Sequence, residues 1–165
     1  GAKSSVYDGG SRVPFVVTWP GVIEAGSRCP QPMVAHDIVA TGDAMTSPQS
    51  RHAQVKDSLS LLPVFSRGES TESREAILYQ AKPRDEQHVN WAIARGQWKL
   101  IFTSDRKSLA GLKPIALFNL GTNPEEDETE NELQNERYEP IVRELTALFT
   151  DLRKSGRPTV IDEQP

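Results

Sequence analysis

The sequence predicts an α+β fold in which a four-stranded antiparallel sheet is packed by a carboxy-terminal helix. Three observations lead to this expectation: four short segments have the composition of strands, a glycine joins two of them, and a helical apolar pattern follows them near the end of the chain. One amphipathic helix laid across such a sheet can bury the apolar face of both. The residues before the sheet are expected to form a separate segment.

The strand candidates lie in the second half of the chain, at residues 76–81, 89–95, 97–103 and 115–120. Gly96 separates the middle two and supplies the positive φ that a tight hairpin loop requires. Because side chains alternate along a strand, the large apolar residues of this hairpin should share one face and leave the other face more polar. Those apolar residues are Trp91, Ile93, Trp98, Leu100 and Phe102.

A helix is predicted after Pro140, because apolar residues recur there at helical spacing as Ile141, Val142, Leu145, Leu148, Phe149 and Leu152. Gly156 is placed to end it. Residues 121–139 are acidic and turn-rich, and Asn123, Pro124 and Glu126 have the order of a helix cap with a capping box. The acidic run is interpreted as a solvated surface, since its carboxylates lack the ligand spacing of a calcium loop.

The first half of the chain is harder to interpret. Residues 13–19 are almost continuously apolar and end at Pro20-Gly21, which predicts a strand buried on both faces. A helix could begin at Asp37, and a small apolar group at 59–65 should form a turn or a one-turn helix. Residues 66–75 are interpreted as a charged linker and residues 157–165 as a tail.

Composition excludes several classes of function. The net charge is −4 and the Lys and Arg residues are scattered, which argues against a nucleic-acid partner. Cys29 is the only cysteine, so an internal disulfide and a cysteine-based zinc cluster are excluded, although the compartment stays open. No apolar run is long enough for a membrane span. The chain begins at Gly1 directly inside a motif, which suggests a processed or excised segment.

A search for catalytic groups finds no serine elbow, no HExxH pair and no glycine-rich phosphate loop, and His36, His52 and His88 are too far apart to indicate a metal site. The dense cluster is at the amino terminus, where Lys3 and Arg12 flank Tyr7-Asp8-Gly9-Gly10. Such a loop before a strand could grip a small anion, or it could be a glycine turn with solvated charges. Spacing alone favours the second reading.

The ordered motifs of the chain resemble those of sulfatases. Gly1-Ala2-Lys3, Tyr7-Asp8-Gly9-Gly10-Ser11-Arg12-Val13-Pro14 and Trp19-Pro20-Gly21 resemble Gly-x-Lys, Tyr-Glu-Gly-Gly-x-Arg-Val-Pro and Trp-Pro-Gly, with Asp8 in place of Glu. Further matches follow in family order, at residues 37–41, 57–63, 92–100 and 117–131. The resemblance is to the carboxy-terminal portion of an arylsulfatase-like protein of the alkaline phosphatase superfamily.

The resemblance implies that residues 1–65 end a large α/β catalytic domain, and that residues 76–156 form a sheet-and-helix subdomain. It implies that Lys3 binds a sulfate oxygen, while Asp8, Gly9, Gly10 and Arg12 shape the loop. His88 is a weaker candidate for contact with the leaving group. Calcium and a formylglycine nucleophile are expected in the full-length parent and no cofactor in this chain, since neither Cys29 nor Ser47 fits the formylglycine motif.

The resulting expectation is a sulfatase piece that is inactive alone, from a parent that hydrolyses sulfate esters and is exported. Two alternatives remain at this point. The chain could be a non-catalytic docking module for a sulfated glycan or a subunit, or its parent could hydrolyse phosphonate or phosphate esters. Residues 13–19, without the sheet that they would normally join, are expected to be exposed or to mediate self-association.

Overall fold

A computed structural model of the chain describes residues 3–46, 57–67, 72–82, 88–105, 111–156 and 160–162. The helices, in chain order, are α1 (Asp8–Ser11), α2 (Asp37–Thr46), α3 (Leu62–Arg67) and α4 (Glu139–Ser155). The strands are β1 (Glu72–Arg74), β2 (Ile77–Ala81), β3 (His88–Arg95), β4 (Trp98–Asp105), β5 (Lys113–Asn119) and β6 (Val160–Asp162). Short 3-10 helices occupy Glu128–Glu130, Glu132–Gln134 and Glu136–Tyr138.

Two compact units divide the chain: one comprises Gly1–Pro14 and Ala76–Arg157, and the other Phe15–Glu75 and Pro158–Pro165. The first contains the antiparallel sheet, in the order β2-β3-β4-β5, together with α1 and α4. The predicted fold class is therefore confirmed. The assignment of 1–65 and 76–156 to two functional domains remains a prediction, because the units are defined by packing alone.

The β3–β4 hairpin forms at the predicted glycine. Arg95 pairs with Trp98, and Gly96 has a φ of 56°, the left-handed conformation that glycine adopts without a steric penalty. On the next pair of strands the register shifts between Ile101 and Phe102, which marks an irregularity in the β4–β5 ladder. The hairpin sets the register of the whole sheet, because β2 and β5 each pair with one of its strands.

One face of the sheet packs against α4. Phe149 is fully buried there, with its ring stacked 4.9 Å from that of Phe102 and edge-on to Trp91 at 6.0 Å. Burying a side chain such as Leu145, Phe149 or Leu152 contributes roughly 1.5–3 kcal/mol each relative to leaving it exposed. The helix ends as predicted at Gly156, whose φ is 61° and whose N–H donates to the carbonyl oxygen of Leu152.

The opposite face of the β3–β4 hairpin carries Asn90, Lys99 and Thr103 and is the more polar of the two, as predicted, but its centre is buried. Ala92, Ile101 and Phe118 are buried on this face, where they pack against Val6 of the amino-terminal segment. Tyr7 lies beside Phe118 with ring centroids 6.0 Å apart. Because the amino-terminal segment covers this face, the sheet has an apolar layer on both sides.

The predicted capping box at residues 123–126 is also wrong. No helix begins there; the Asn123 side chain instead closes a turn, accepting from the amide of Asp127 and donating to its carbonyl. Three short 3-10 helices follow this turn. The side chain of an Asp or Asn caps the amino terminus of each, and these caps recur every four residues, at Asp127, Asn131 and Asn135. These turns occupy most of the acidic stretch at 121–139, which was predicted to be a solvated surface, and α4 begins only at its end, at Glu139.

Asn131 also closes the β5 edge of the sheet. Its Oδ1 accepts from the amide of Leu117 at 3.0 Å and from that of Leu133 at 3.1 Å, while its Nδ2 donates to the carbonyl of Ile115 at 3.3 Å. One side chain thus takes the hydrogen-bonding role of an adjacent strand. This contact gives a structural reason for the asparagine that ends the 117–131 motif.

The second unit is organised by the buried carboxylate of Asp37. It accepts from the amides of Val34 and Leu59, each at 2.9 Å, and from Nη2 of Arg74 at 2.5 Å. Thr41 adds a hydrogen bond from the amide of Leu61 at 2.9 Å. These contacts connect two of the sequence motifs, 37–41 and 57–63, and they show what holds α2 and α3 to the chain around them.

Two further predictions, the buried strand at 13–19 and the linker with its tail, are wrong. Residues 13–19 form no strand, and no strand among the described residues pairs with them. They are largely exposed, as expected without the sheet that they would normally join, with Val13 at 76% and Val16 at 85% of their full accessibility. The linker at 66–75 contains the end of α3 and the strand β1, which pairs with β6 in what was expected to be the tail. The turn of helix at 59–65 is confirmed in α3.

Candidate sulfate-binding loop

The loop that carries Lys3 packs against the sheet at Val6, three residues after the lysine. Lys3 and Ser4 are exposed, and Ser4 has a φ of 69°, whereas Val6 is only 1% exposed. The short helix α1 follows directly, and the backbone amide of Arg12, the residue after the helix, donates to the carbonyl of Asp8 at 2.7 Å. The ammonium of Lys3 therefore projects from a segment whose base is packed into the protein.

A buried ion-pair cluster lies directly beneath this loop. Nζ of Lys99, on β4, is 2.6 Å from Oδ1 of Asp8 and 2.6 Å from Oε1 of Glu126. The side chain of Lys99 is completely buried. A buried ammonium is stable only when anions and other acceptors replace its lost hydration, and here two carboxylates do so.

Aromatic and charged neighbours complete the cluster. The ring of Tyr79 lies 4.7 Å from Nζ of Lys99, within the range of a cation–π contact. Burial, together with the nearby carboxylates of Asp8 and Glu126, raises the pKa of Tyr79 to about 12. Arg12 pairs with the second carboxylate oxygen of Asp8 at 3.4 Å, so two cations face two carboxylates.

Tyr7 gives the loop a further contact with the acidic turns. Its hydroxyl donates to Oε1 of Glu128 at 2.6 Å. Burial, that hydrogen bond and the negative charge of Glu128 raise the pKa of the Tyr7 hydroxyl far above its usual value. Tyr7 therefore stays neutral and able to donate throughout the physiological pH range.

A groove of about 470 Å³ borders the loop on the side of the edge strand β2. Its walls are Ser4, Ser5, Gly10 and Ser11 from the loop, and residues 78–82 from β2 and the position after it. Three serine hydroxyls and the ammonium of Lys82 give it a polar rim. The groove is large enough for a small polar molecule beside Ser4, the residue that follows Lys3.

The predicted site residues are only partly brought together. Asp8, Gly9, Gly10 and Arg12 all lie in or beside α1, and the Asp8–Arg12 ion pair that the sequence suggested is present. His88 is exposed at the first position of β3. His36 is on the other unit, with its Nε2 2.9 Å from the carbonyl of Asp57, and Ser47 and His52 lie outside the described residues.

Sequence reasoning missed Lys99 and Glu126 as members of the site. The available signal was in β4, where Ile101 falls on the same face as Lys99 and shows that this face is not simply solvated. The described residues contain no group of three or more His, Cys, Asp or Glu side chains that could hold a metal ion. The carboxylates of Asp8 and Glu126 already bind Lys99, so they do not fit a calcium site.

Comparison with known proteins agrees with the resemblance to sulfatases. No family model matches the chain. An N-acetylgalactosamine-6-O-sulfatase from Bacteroides thetaiotaomicron is 29% identical over 164 residues, which cover 93% of this chain and 29% of that protein. The chain is similar to this sulfatase over nearly its whole length. The steryl-sulfatase of Mus musculus is 26% identical over 111 residues, covering 67% of this chain and 18% of that protein.

A solved structure places the same fold in a longer sulfatase-like chain. The structure of yidJ from Bacteroides fragilis, a proposed sulfatase, aligns with a TM-score of 0.62 and 14% identity, covering 86% of this chain and 29% of that chain. These findings confirm the predicted resemblance to the carboxy-terminal portion of a sulfatase. The chain spans less than a third of the length of the relatives it matches. Among the described residues, no helix is long and apolar enough to cross a membrane.

Proposed function

We propose that this chain supplies the sulfate-binding wall of a sulfatase active site, with Lys3 as the residue that contacts the sulfate. The observation that carries the proposal is the placement of Lys3, an exposed ammonium on a loop whose base is buried in the sheet unit. The parent protein would hydrolyse sulfate esters. The sulfatase relatives, one named for N-acetylgalactosamine-6-O-sulfate chemistry, support this class of substrate.

An ammonium suits the proposed role because it is a compact, strongly hydrated point charge with three donors. Held next to a sulfate oxygen, it offsets negative charge that develops as the ester bond breaks, and such stabilisation contributes several kcal/mol in preorganised sites. The groove beside the loop would receive the leaving group, and its serine hydroxyls suit a hydroxyl-rich one. His88 is the weaker candidate for contact with the leaving group.

We further propose that the formylglycine nucleophile and the calcium ion belong to the parent protein, and that the 165-residue chain is inactive alone. The described residues hold no fitting set of metal ligands. A single lysine binds and orients a sulfate, but it supplies no nucleophile for the sulfur. The export of the parent follows from the family resemblance and remains an expectation.

Hydrolysis of an aryl sulfate tests the proposal, with the 165-residue chain and the full-length gene product assayed side by side. The full-length protein should turn over substrate, and its Lys3→Ala variant should lose roughly 100-fold or more in kcat/KM. Lys113→Ala is the matched control, since Lys113 is an exposed lysine at the start of β5. An aryl phosphate assayed in parallel separates the sulfate-ester reaction from the phosphate-ester alternative.

Turnover by the 165-residue chain above its own Lys3→Ala control would show that the catalytic groups lie within this chain. Equal loss of activity in Lys3→Ala and Lys113→Ala would show that Lys3 has no particular role.

A further inference from the structure

We propose that Lys99 and Glu126 are positioning residues for Lys3, acting through Asp8 at the base of the loop. The inference rests on the proposed function, because it presumes that Lys3 contacts the sulfate. It adds two residues that lie 91 and 118 positions from Asp8 along the chain and touch no part of the loop beyond it in the described contacts.

The carboxylate of Glu126 holds the loop in two ways at once. Its Oε2 accepts from the backbone amide of Asp8 at 2.5 Å, and its Oε1 pairs with Nζ of Lys99. Lys99 in turn pairs with the Asp8 side chain. Both the main chain and the side chain of Asp8 are therefore tied to the sheet unit through groups that are almost completely buried.

The backbone at Glu126 indicates that this geometry is maintained against a local cost. Its φ is 56°, in the left-handed region that residues other than glycine rarely adopt. Such a conformation persists only when the surrounding contacts over-determine it. A glycine would relieve the backbone but would lose the carboxylate, so the side chain is what the position requires.

Lys3 is only a few residues from Asp8, so the contacts that Glu126 and Lys99 make with Asp8 also restrict the position of Lys3. Five residue steps separate Lys3 from Asp8, which limits their Cα separation to roughly 17 Å even in a fully extended chain. Val6 is buried against Ile101 and Phe118 between them, which shortens the free segment to three steps. Val6 and Asp8 anchor the same short base, so the loss of the contacts at Asp8 loosens the segment from which the ammonium projects. A shift of about 1 Å in a binding group can cost roughly 100-fold in rate.

A double-mutant cycle in the full-length protein separates positioning from general stabilisation. Glu126→Gln keeps the size of the side chain and removes its charge, and it should lower kcat/KM for an aryl sulfate by about 10-fold or more. If Glu126 acts through Lys3, the Lys3→Ala/Glu126→Gln protein should be no slower than Lys3→Ala alone, within about 3-fold. Losses that multiply would overturn the inference, as would full activity in Glu126→Gln.

A matched control is Phe149→Leu, which weakens the core on the other face of the sheet without touching the loop. It should leave kcat/KM within about 3-fold of the wild type at a temperature where both proteins are folded. Asp8→Glu with Lys99 intact should retain most activity, since a carboxylate is kept.

The outcomes distinguish the two proposals. A Lys3→Ala protein with full activity refutes the proposed function. Low activity in Lys3→Ala together with full activity in Glu126→Gln refutes only the positioning role.

Amide hydrogen exchange on the 165-residue chain tests the tether without any catalytic readout. In Glu126→Gln, the amides from Val6 to Gly10 should exchange about 10-fold faster or more relative to those of β4, while in Phe149→Leu the two regions should change together. Unchanged relative protection in Glu126→Gln would overturn the inference. Lys99→Met serves as the second variant, and it should show the same selective loss.

Discussion

Replacing Asn131 by alanine tests how much the closure of the β5 edge contributes to stability. The substitution removes one acceptor and one donor that together satisfy the amide of Leu117 and the carbonyl of Ile115. Leu117 is completely buried, so its amide cannot turn to bulk water when the side chain is lost. An unsatisfied buried amide costs about 1–3 kcal/mol, and loss of an Asx cap adds roughly 0.5–1 kcal/mol. The expected decrease in the free energy of unfolding is therefore about 2–3 kcal/mol.

Asn135 offers a matched control on the same run of turns. It caps the following 3-10 helix in the same way, accepting from the amide of Arg137 at 3.2 Å, but it has no bond to the sheet among the described contacts. Asn135→Ala should therefore cost only about 0.5–1 kcal/mol. Urea unfolding followed by tryptophan fluorescence and far-UV circular dichroism gives both values, with an unchanged m-value as evidence that the mechanism of unfolding is preserved.

Hydrogen exchange locates the effect. Asn131→Ala should accelerate exchange at the amide of Leu117, while Asn135→Ala should leave it unchanged. Equal destabilisation by the two substitutions would refute the reasoning, because it would mean that capping, and not the contact with the sheet edge, accounts for the whole contribution. Asn131→Asp should fall between the wild type and Asn131→Ala, since it keeps the acceptor and loses the donor.

Three further predictions concern the core, the second unit and the buried tyrosine. Phe149→Ala should cost about 3–5 kcal/mol in urea unfolding, against less than about 1.5 kcal/mol for Phe149→Leu, because only alanine leaves a large cavity beside Phe102. Asp37→Ala should cost about 3–5 kcal/mol and abolish exchange protection at the amide of Leu59, because it leaves Arg74 without its buried carboxylate; unchanged protection there would contradict this. Tyr79 has a folded-state pKa raised to about 12, so the unfolded chain ionises first as the pH rises, and stability should hold below about pH 10 and then fall by roughly 1–2 kcal/mol towards pH 12. Tyr79→Phe should reduce that decline and remove one late component of the phenolate absorbance titration, while Tyr7, whose pKa is also raised, keeps its own contribution; an unaltered titration curve would count against the assignment.

The sheet and α4 could be predicted because their signals are local. Gly96 between two apolar segments indicates a hairpin, and the spacing from Ile141 to Leu152 indicates a helix that buries one stripe. Such patterns depend only on alternation and helical repeat, which the structure reproduces in β3, β4 and α4.

The layer beneath the loop could not be predicted in the same way. A lysine between Trp98 and Leu100 is by default a solvated residue on the outer face of a strand. Its burial depends on Val6 and on Asp8, which are more than 90 positions away along the chain. No periodicity connects residues that far apart, so the resemblance to sulfatase motifs pointed to the loop but not to what lies under it.

The strand expected at 13–19 was wrong for a related reason. Composition measures the tendency of a segment to be buried in a sheet, whereas pairing requires a second strand at hydrogen-bonding distance. Val13 and Val16 are exposed in this structure, and whether these residues mediate self-association remains a prediction.

The contact between Asp8 and Glu126 also constrains when the loop can become ordered during synthesis. Its two partners are 118 residues apart, and the last strand of the four-stranded sheet ends at Asn119, so the ribosome must release that whole sheet before the Glu126 carboxylate leaves the exit tunnel. At translation rates of about 5–20 residues per second, the nascent loop would wait roughly 6–24 seconds without its anchor. During that interval the amino-terminal segment is a candidate for chaperone binding, and its docking would be among the last events in the folding of this unit.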